Sequence, residues 1–120
     1  MKILVAQEQG SVPVTVLQIS GDLDANTHSD LQDKASELIA AGAGNILLDL
    51  SGVSFMGSAG FRAIHAITNM LNEDQSEHTI QSKHVKLLNP SDEVLKIIKT
   101  LGFDAYLDIY SNLKEAVDAF

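Results

Sequence analysis

No cysteine occurs among the 120 residues, which excludes a disulfide framework and any thiolate chemistry. Cations are scarce as well. Eight Lys and Arg stand against sixteen Asp and Glu, a formal net charge of −8 at pH 7, and no basic run interrupts the acidic background. Such a field repels phosphate backbones and anionic lipid, so the expected partners include no nucleic acid and no lipid surface. Long apolar runs are missing too: KILVA at the start is too short for a leader, and nothing approaches the ~20 residues of a membrane span. The expectation is a cytoplasmic protein without a direct membrane span. Its length suits one domain over residues 1–120, with a core that needs no cross-links.

Several catalytic patterns are absent. The histidines His28, His65, His78 and His84 fall at no spacing that converges ligands, so no metal is expected. "GAGN" at Gly42 to Asn45 precedes a strand instead of opening a helix, the wrong context for a dinucleotide fingerprint, and no cofactor is expected. Met56 stands where a nucleophile elbow around Ser58 needs glycine. A receiver domain phosphorylated at Asp49 needs an acidic pair at the end of the first strand, and KILVAQ has none. These absences leave no catalytic residue to name.

The patterning that is present reads as α/β. Lys2 to Gln7 forms a first strand, Gln9-Gly10-Ser11 a turn, and Val14 to Ile19 a second strand with Pro13 at its start, together an N-terminal hairpin. Gly21 to Asn26 is a loop. Thr27, with Asp30 three residues on, offers a cap for a helix carrying Leu31, Ala35, Leu38 and Ile39 and ending at Gly42. Beyond a central stretch and a polar link over residues 72–84, Val85 to Leu88 is a strand. Ser91 or Asp92 caps a helix with Val94, Leu95, Ile97, Ile98 and Leu101 inward, stopped at Gly102. Asn112 with Glu115 suggests a capping box for a last helix, Leu113 to Phe120. The sum is a mixed sheet of four to five strands with about four helices, a hairpin followed by βαβ units.

The central stretch is NILLDLSGVSFMGSAGFRAIHAITNML, Asn45 to Leu71. Ile46, Leu47, Leu48 and Leu50 make a buried strand around Asp49. The chain then turns through Ser51 and Gly52, buries Val53 and Phe55, and reaches Gly57-Ser58-Ala59-Gly60. Ala63, Ile64, Ile67, Met70 and Leu71 form one face of a helix. Ser58 therefore sits where a strand's outgoing loop meets a helix start. It reads first as an N-cap, and also as a serine whose phosphate a helix N-terminus can hold; the two readings are compatible. Right-handed βαβ units bring the loops holding Asp24, Ser58 and Asn89-Pro90-Ser91 to one edge of the sheet. Asp24 reads either as a turn residue bonding its own backbone or as a partner contact. Of Phe55, Met56 and Phe61, whichever stays exposed supplies apolar anchor area.

"DLSGVSFMGSAG" resembles the central motif of STAS domains of the anti-sigma factor antagonist type, in which an acidic residue precedes a phosphorylatable serine and a glycine. "ISGDLDANT" resembles the family's Gly-x-Leu-Asp segment, and "VKLLNPSDEVLKIIKTLGFDAYLDIYSNLKEAV" its final strand, Asn-Pro turn and last helices. The resemblance implies a STAS-like fold and a binding module switched by phosphorylation at Ser58, not an enzyme. It implies partner contacts at Asp24, Gly57, Ser58, Ala59, Gly60, Phe61 and Asn89. Its partners are an anti-sigma factor that is a serine kinase of the histidine-kinase ATPase type, and a metal-dependent serine phosphatase; weak self-association is also expected. Gly57 departs from the family's acid and Ala59 from a second hydroxyl. That departure leaves open a phosphate-independent STAS scaffold or sensor module, or a soluble relative of the anion-transporter STAS domain.

Overall fold

The computed structural model describes residues 1–71 and 82–120. Its elements are β1 (Lys2–Gln9), β2 (Pro13–Leu23), α1 (His28–Ala40), β3 (Ile46–Met56), α2 (Ser58–Leu71), β4 (Val85–Leu88), α3 (Asp92–Thr100), a short 3-10 turn (Phe103–Ala105), β5 (Ile109–Tyr110) and α4 (Leu113–Asp118). Of the polar link expected at 72–84, all but Ser82 to His84 lies outside the described residues, as does His78.

Strand order in the sheet follows chain order, with β1 antiparallel to β2 and every later neighbour parallel. Right-handed crossovers that always step the same way leave their helices on the same face. Accordingly α1, α2 and α3 cover one face, packing Leu31, Ile64, Ile67 and Ile98 onto Leu17, Ile19, Leu48, Leu50 and Leu87. Among the described residues the other face is covered by α4, whose Ala116 and Val117 meet Val14, Val16, Leu47 and Leu88. With both faces covered, β2 is buried continuously from Val14 to Leu17 instead of alternating.

The second face holds a cation. Lys86 is 5% exposed, its ammonium 3.0 Å from the Asp108 carboxylate and 5.9 and 5.3 Å from the ring centroids of Tyr110 and Phe120. A desolvated ammonium needs such partners, and two aromatic faces with a carboxylate supply them.

Local chemistry sets the boundaries. Gly42, at φ +111°, ends α1, and the Ala43 N–H reaches back to the Leu38 carbonyl at 3.0 Å. Ser91 caps α3 by accepting the Val94 N–H at 3.2 Å, and Asn112 caps α4 by accepting the Glu115 N–H at 3.0 Å. Other expectations need correcting. Thr27 makes no side-chain cap to α1; its hydroxyl donates to the Asp22 carbonyl at 2.7 Å, turned back into the preceding loop. Leu101 is 51% exposed, because α3 stops at Thr100 and Gly102, at φ +78°, swings the chain away. The last helix closes at Asp118, short of Phe120, and Ile109–Tyr110 forms the fifth strand.

The largest correction concerns β2 and β3, which run on through Leu23 and Met56 where loops were expected. Register explains why. Between Asp49 and Gly52, and again between Val53 and Phe55, β3 spends one more residue than β2. Each such bulge reverses which face the following side chain takes. Leu50, Val53 and Met56, spaced by three, consequently all enter the same core, while Phe55 is turned outward at 52% exposure and is not buried. Gly52 makes the first bulge possible, since a Cβ there would lie 2.9 Å from the Ile19 carbonyl oxygen.

The Lys86 site gives a stability test. Asp108→Ala leaves the buried ammonium without its carboxylate and is expected to destabilise the fold by about 1–3 kcal/mol, whereas Lys86→Met, which removes the need for a partner, costs less. Chemical denaturation of both variants checks the order; equal midpoints for Asp108→Ala and wild type would contradict it.

Candidate partner-binding site at Ser58

β4 pairs with β3 only from Ile46 to Asp49, so β3 continues from Asp49 to Met56, roughly 20 Å at ~3.3 Å per residue, beside β2 alone. β1 pairs with β2 as far as Ser20, opposite Gly52, so from Gly21 and Val53 onward the two strands project past the rest of the sheet as a bulged ribbon, and its tip carries the start of α2. There the Gly57 N–H donates to the Leu23 carbonyl at 3.0 Å. The Gly57 carbonyl in turn accepts the N–H groups of Gly60 at 3.0 Å and Phe61 at 3.3 Å. Gly57 is thus the capping position and Ser58 the first helical residue, one place inside the N-cap that the sequence suggested.

That shift matters for the serine. Its side chain is exposed and makes no hydrogen bond to any described residue. An N-cap hydroxyl would be engaged with the backbone; this one is free. The amides of Ser58 and Ala59, at the open end of the helix, have no carbonyl within the helix to bind, and no acidic side chain occupies the first turn.

Gly60 fixes how closely the helix approaches the ribbon. A Cβ there would lie 2.8 Å from the Leu23 carbonyl oxygen, 2.9 Å from Leu23 Cγ and 3.0 Å from Met56 Cγ, so only glycine lets α2 start flush against β2. Beyond it, Phe61 is buried and stacks at 5.1 Å on Phe103. Ala59, Gly60 and Phe61 all turn inward, which leaves Gly57, Ser58 and the outward ring of Phe55 as the presented surface. Phe55 was legible only through the three-residue spacing of Leu50, Val53 and Met56, which leaves it off the core face.

Asp24 lies beside this tip, one residue after the Leu23 carbonyl that holds Gly57. Its carboxylate accepts the Asn26 N–H at 2.9 Å, and its carbonyl accepts the N–H of His28 at 2.9 Å and of Thr27 at 3.2 Å. The turn-forming reading of Asp24 is what the structure shows, and that turn stands next to Ser58. Asp49 has a similar local role, accepting the Ser51 N–H at 3.0 Å. Asn89 is elsewhere: it follows the short β4 in the left-handed region at φ 50°, its N–H on the Tyr110 carbonyl at 2.8 Å. The structure brings Asp24 and Ser58 together and leaves Asn89 well down the sheet. Among the described residues, no three His, Asp or Glu side chains cluster as metal ligands do.

Comparison with known proteins follows the geometry. The sequence profile of the family described as STAS domain matches residues 4–116. Anti-sigma-F factor antagonist RsfB of Mycobacterium tuberculosis (strain CDC 1551 / Oshkosh) is 28% identical over 115 residues, covering 96% of this chain and 85% of that protein. An anti-sigma factor antagonist from Mycobacterium paratuberculosis superposes with a TM-score of 0.81 at 24% identity, over 98% of this chain and 92% of that one. The anti-sigma factor antagonist SpoIIAA in its unphosphorylated form gives 0.72 at 23% identity, over 96% and 94%. SpoIIAA of Bacillus in the phosphorylated form gives 0.64 at 23% identity, over 96% and 97%.

The two small residues of the tip should respond differently to substitution. Ser58→Ala is expected to leave stability within about 0.5 kcal/mol of wild type, because the hydroxyl bonds nothing in the fold. Gly60→Ala is expected to cost about 1–3 kcal/mol by overpacking against Leu23. Thermal unfolding of the pair decides; a large loss in Ser58→Ala would mean that the hydroxyl is a cap after all.

Proposed function

This chain belongs to the STAS domain family, and from that premise we propose that it is an anti-sigma factor antagonist whose unphosphorylated form captures an anti-sigma factor and whose phosphorylation at Ser58 ends that capture. The observation that carries the reading is the free Ser58 hydroxyl at the tip of the projecting ribbon. A kinase can reach it without unfolding the chain, and the phosphate it would bear meets open amides and no neighbouring carboxylate in the first helical turn. Relatives named for anti-sigma antagonism, one of them solved in unphosphorylated and phosphorylated forms, support the same reading.

In this account residues 1–120 act as one binding module in the cytoplasm, without catalysis of its own. Gly57, Ser58 and Phe55 meet the partner directly. Ala59, Gly60 and Phe61 set the position of that surface from inside, Asp24 shapes its flank, and Asn89 lies at the margin of the contact or beyond it. The anti-sigma factor is also the serine kinase, of the histidine-kinase ATPase type, and a metal-dependent serine phosphatase restores the hydroxyl. Phosphorylation adds about −1.5 to −2 charges at the centre of the docking face. A hundredfold loss of affinity needs only about 2.8 kcal/mol, which a close-fitting or acidic partner surface readily supplies.

Gly57, in place of the family's acid, favours one competing reading: a STAS scaffold that binds regardless of phosphate. Capture of the anti-sigma factor by Ser58→Ala and Ser58→Asp separates the two. Phosphate control predicts that Ser58→Ala binds like wild type and that Ser58→Asp loses binding by tenfold or more, on the order of 1.4 kcal/mol. Equal capture by both variants would reject phosphate control and leave the scaffold.

A further inference from the structure

One charged side chain stands on the same helix face as Ser58. Arg62 is the only arginine in the chain, and the only formally charged residue in α2, whose sequence is SAGFRAIHAITNML. Four residues after Ser58, it lies one helical turn further along, with Cβ atoms about 5–6 Å apart. Both residues are exposed. Among the described residues Arg62 makes no ion pair. The other titratable groups on α2 and on the described elements beside its first turns include Asp22 near the end of β2, Asp24 just after it, His28 at the start of α1, Asp104 in the 3-10 turn that packs on Phe61, and His65 on α2 itself. Asp24 is already occupied with the Asn26 N–H.

We propose that Arg62 is the built-in counter-charge for phosphorylated Ser58, an inference that rests on Ser58 being the modified residue. A group that is anionic and N-terminal, paired with a cation at i+4, is the favourable orientation on a helix. A guanidinium fork also matches two phosphate oxygens at once, which an ammonium cannot. Gly57 completes the arrangement. With glycine at position 57 and no acid in the first turn of α2, no carboxylate on the helix itself competes for the guanidinium before the phosphate arrives or repels the phosphate afterwards.

The pairing changes what a partner meets. Before modification the tip presents an exposed cation, complementary to a carboxylate on the anti-sigma factor. After it, the guanidinium folds onto the phosphate, and the local charge passes from about +1 to about −1. One event thus removes an attractive group and adds a repulsive one. The departure from the family's acid at position 57 is offset by a basic residue one turn on.

The test needs no kinase. Phosphoserine is installed at position 58 by suppression of an amber codon, in wild type, Arg62→Gln and Arg62→Lys, and the phosphate is titrated by phosphorus NMR. Arg62→Gln should move the titration midpoint upward by about 0.2–0.4 pH unit, the size of an exposed i,i+4 pair. Arg62→Lys should recover part of that shift, and high salt should shrink it. Coincident midpoints for wild type and Arg62→Gln, with both folded by circular dichroism, would overturn the pairing. Capture of the anti-sigma factor by the same phosphoproteins keeps the two claims apart. Undiminished capture with shifted midpoints would overturn phosphate control and leave the pairing, whereas lost capture with coincident midpoints would overturn the pairing alone.

Discussion

Everything distinctive about this molecule hangs on the contact between the start of α2 and the Leu23 carbonyl. That oxygen accepts the Gly57 N–H at 3.0 Å and stands where a Cβ on residue 60 would otherwise sit. The contact exists because β2 and β3 outrun the rest of the sheet, and they do so in register only because β3 absorbs two bulges. Two glycines are therefore spent on backbone approach, one letting the strands bend and the other letting the helix dock. The result is an exposed serine at a tip held by main chain and not by the serine's own side chain.

The sheet's topology governs where that tip points. Strands added in chain order, with crossovers of one hand, put α1, α2 and α3 on a single face and give no reversal of strand order. Among the described residues the strand order therefore has no switch point of the kind at which doubly wound sheets hold small ligands, and the site is a projection instead. A projecting surface suits contact with another protein. On the opposite face α4 is short, and Lys86 is kept buried only by its carboxylate and ring neighbours.

Much of this was legible in the residues. Hydrophobic periodicity located the hairpin, the helices and β4, and the punctuation at Gly42, Ser91, Gly102 and Asn112 marked where helices begin and end. What escaped had physical causes. Bulges turn period two into period three, so Val53 and Met56 read as a loop although they continue the strand that holds Leu50. The Thr27 hydroxyl chose a carbonyl behind it over the amides ahead, a competition that spacing does not display. Asn89 was grouped with Ser58 because parallel strands end at one edge, yet β4 is too short to reach it. A lysine in the buried run VKLL and a lone arginine in a neutral helix carry no motif; their meaning came from what surrounds them in space.

The most direct test of the central claim is peptide-resolved phosphate occupancy at Ser58, measured by mass spectrometry on the protein isolated from its own cells before and after a stress or growth transition. The account predicts an occupancy that changes with condition, with the fraction bound to the anti-sigma factor falling as it rises. A well-covered peptide in which Ser58 stays unmodified throughout would contradict it.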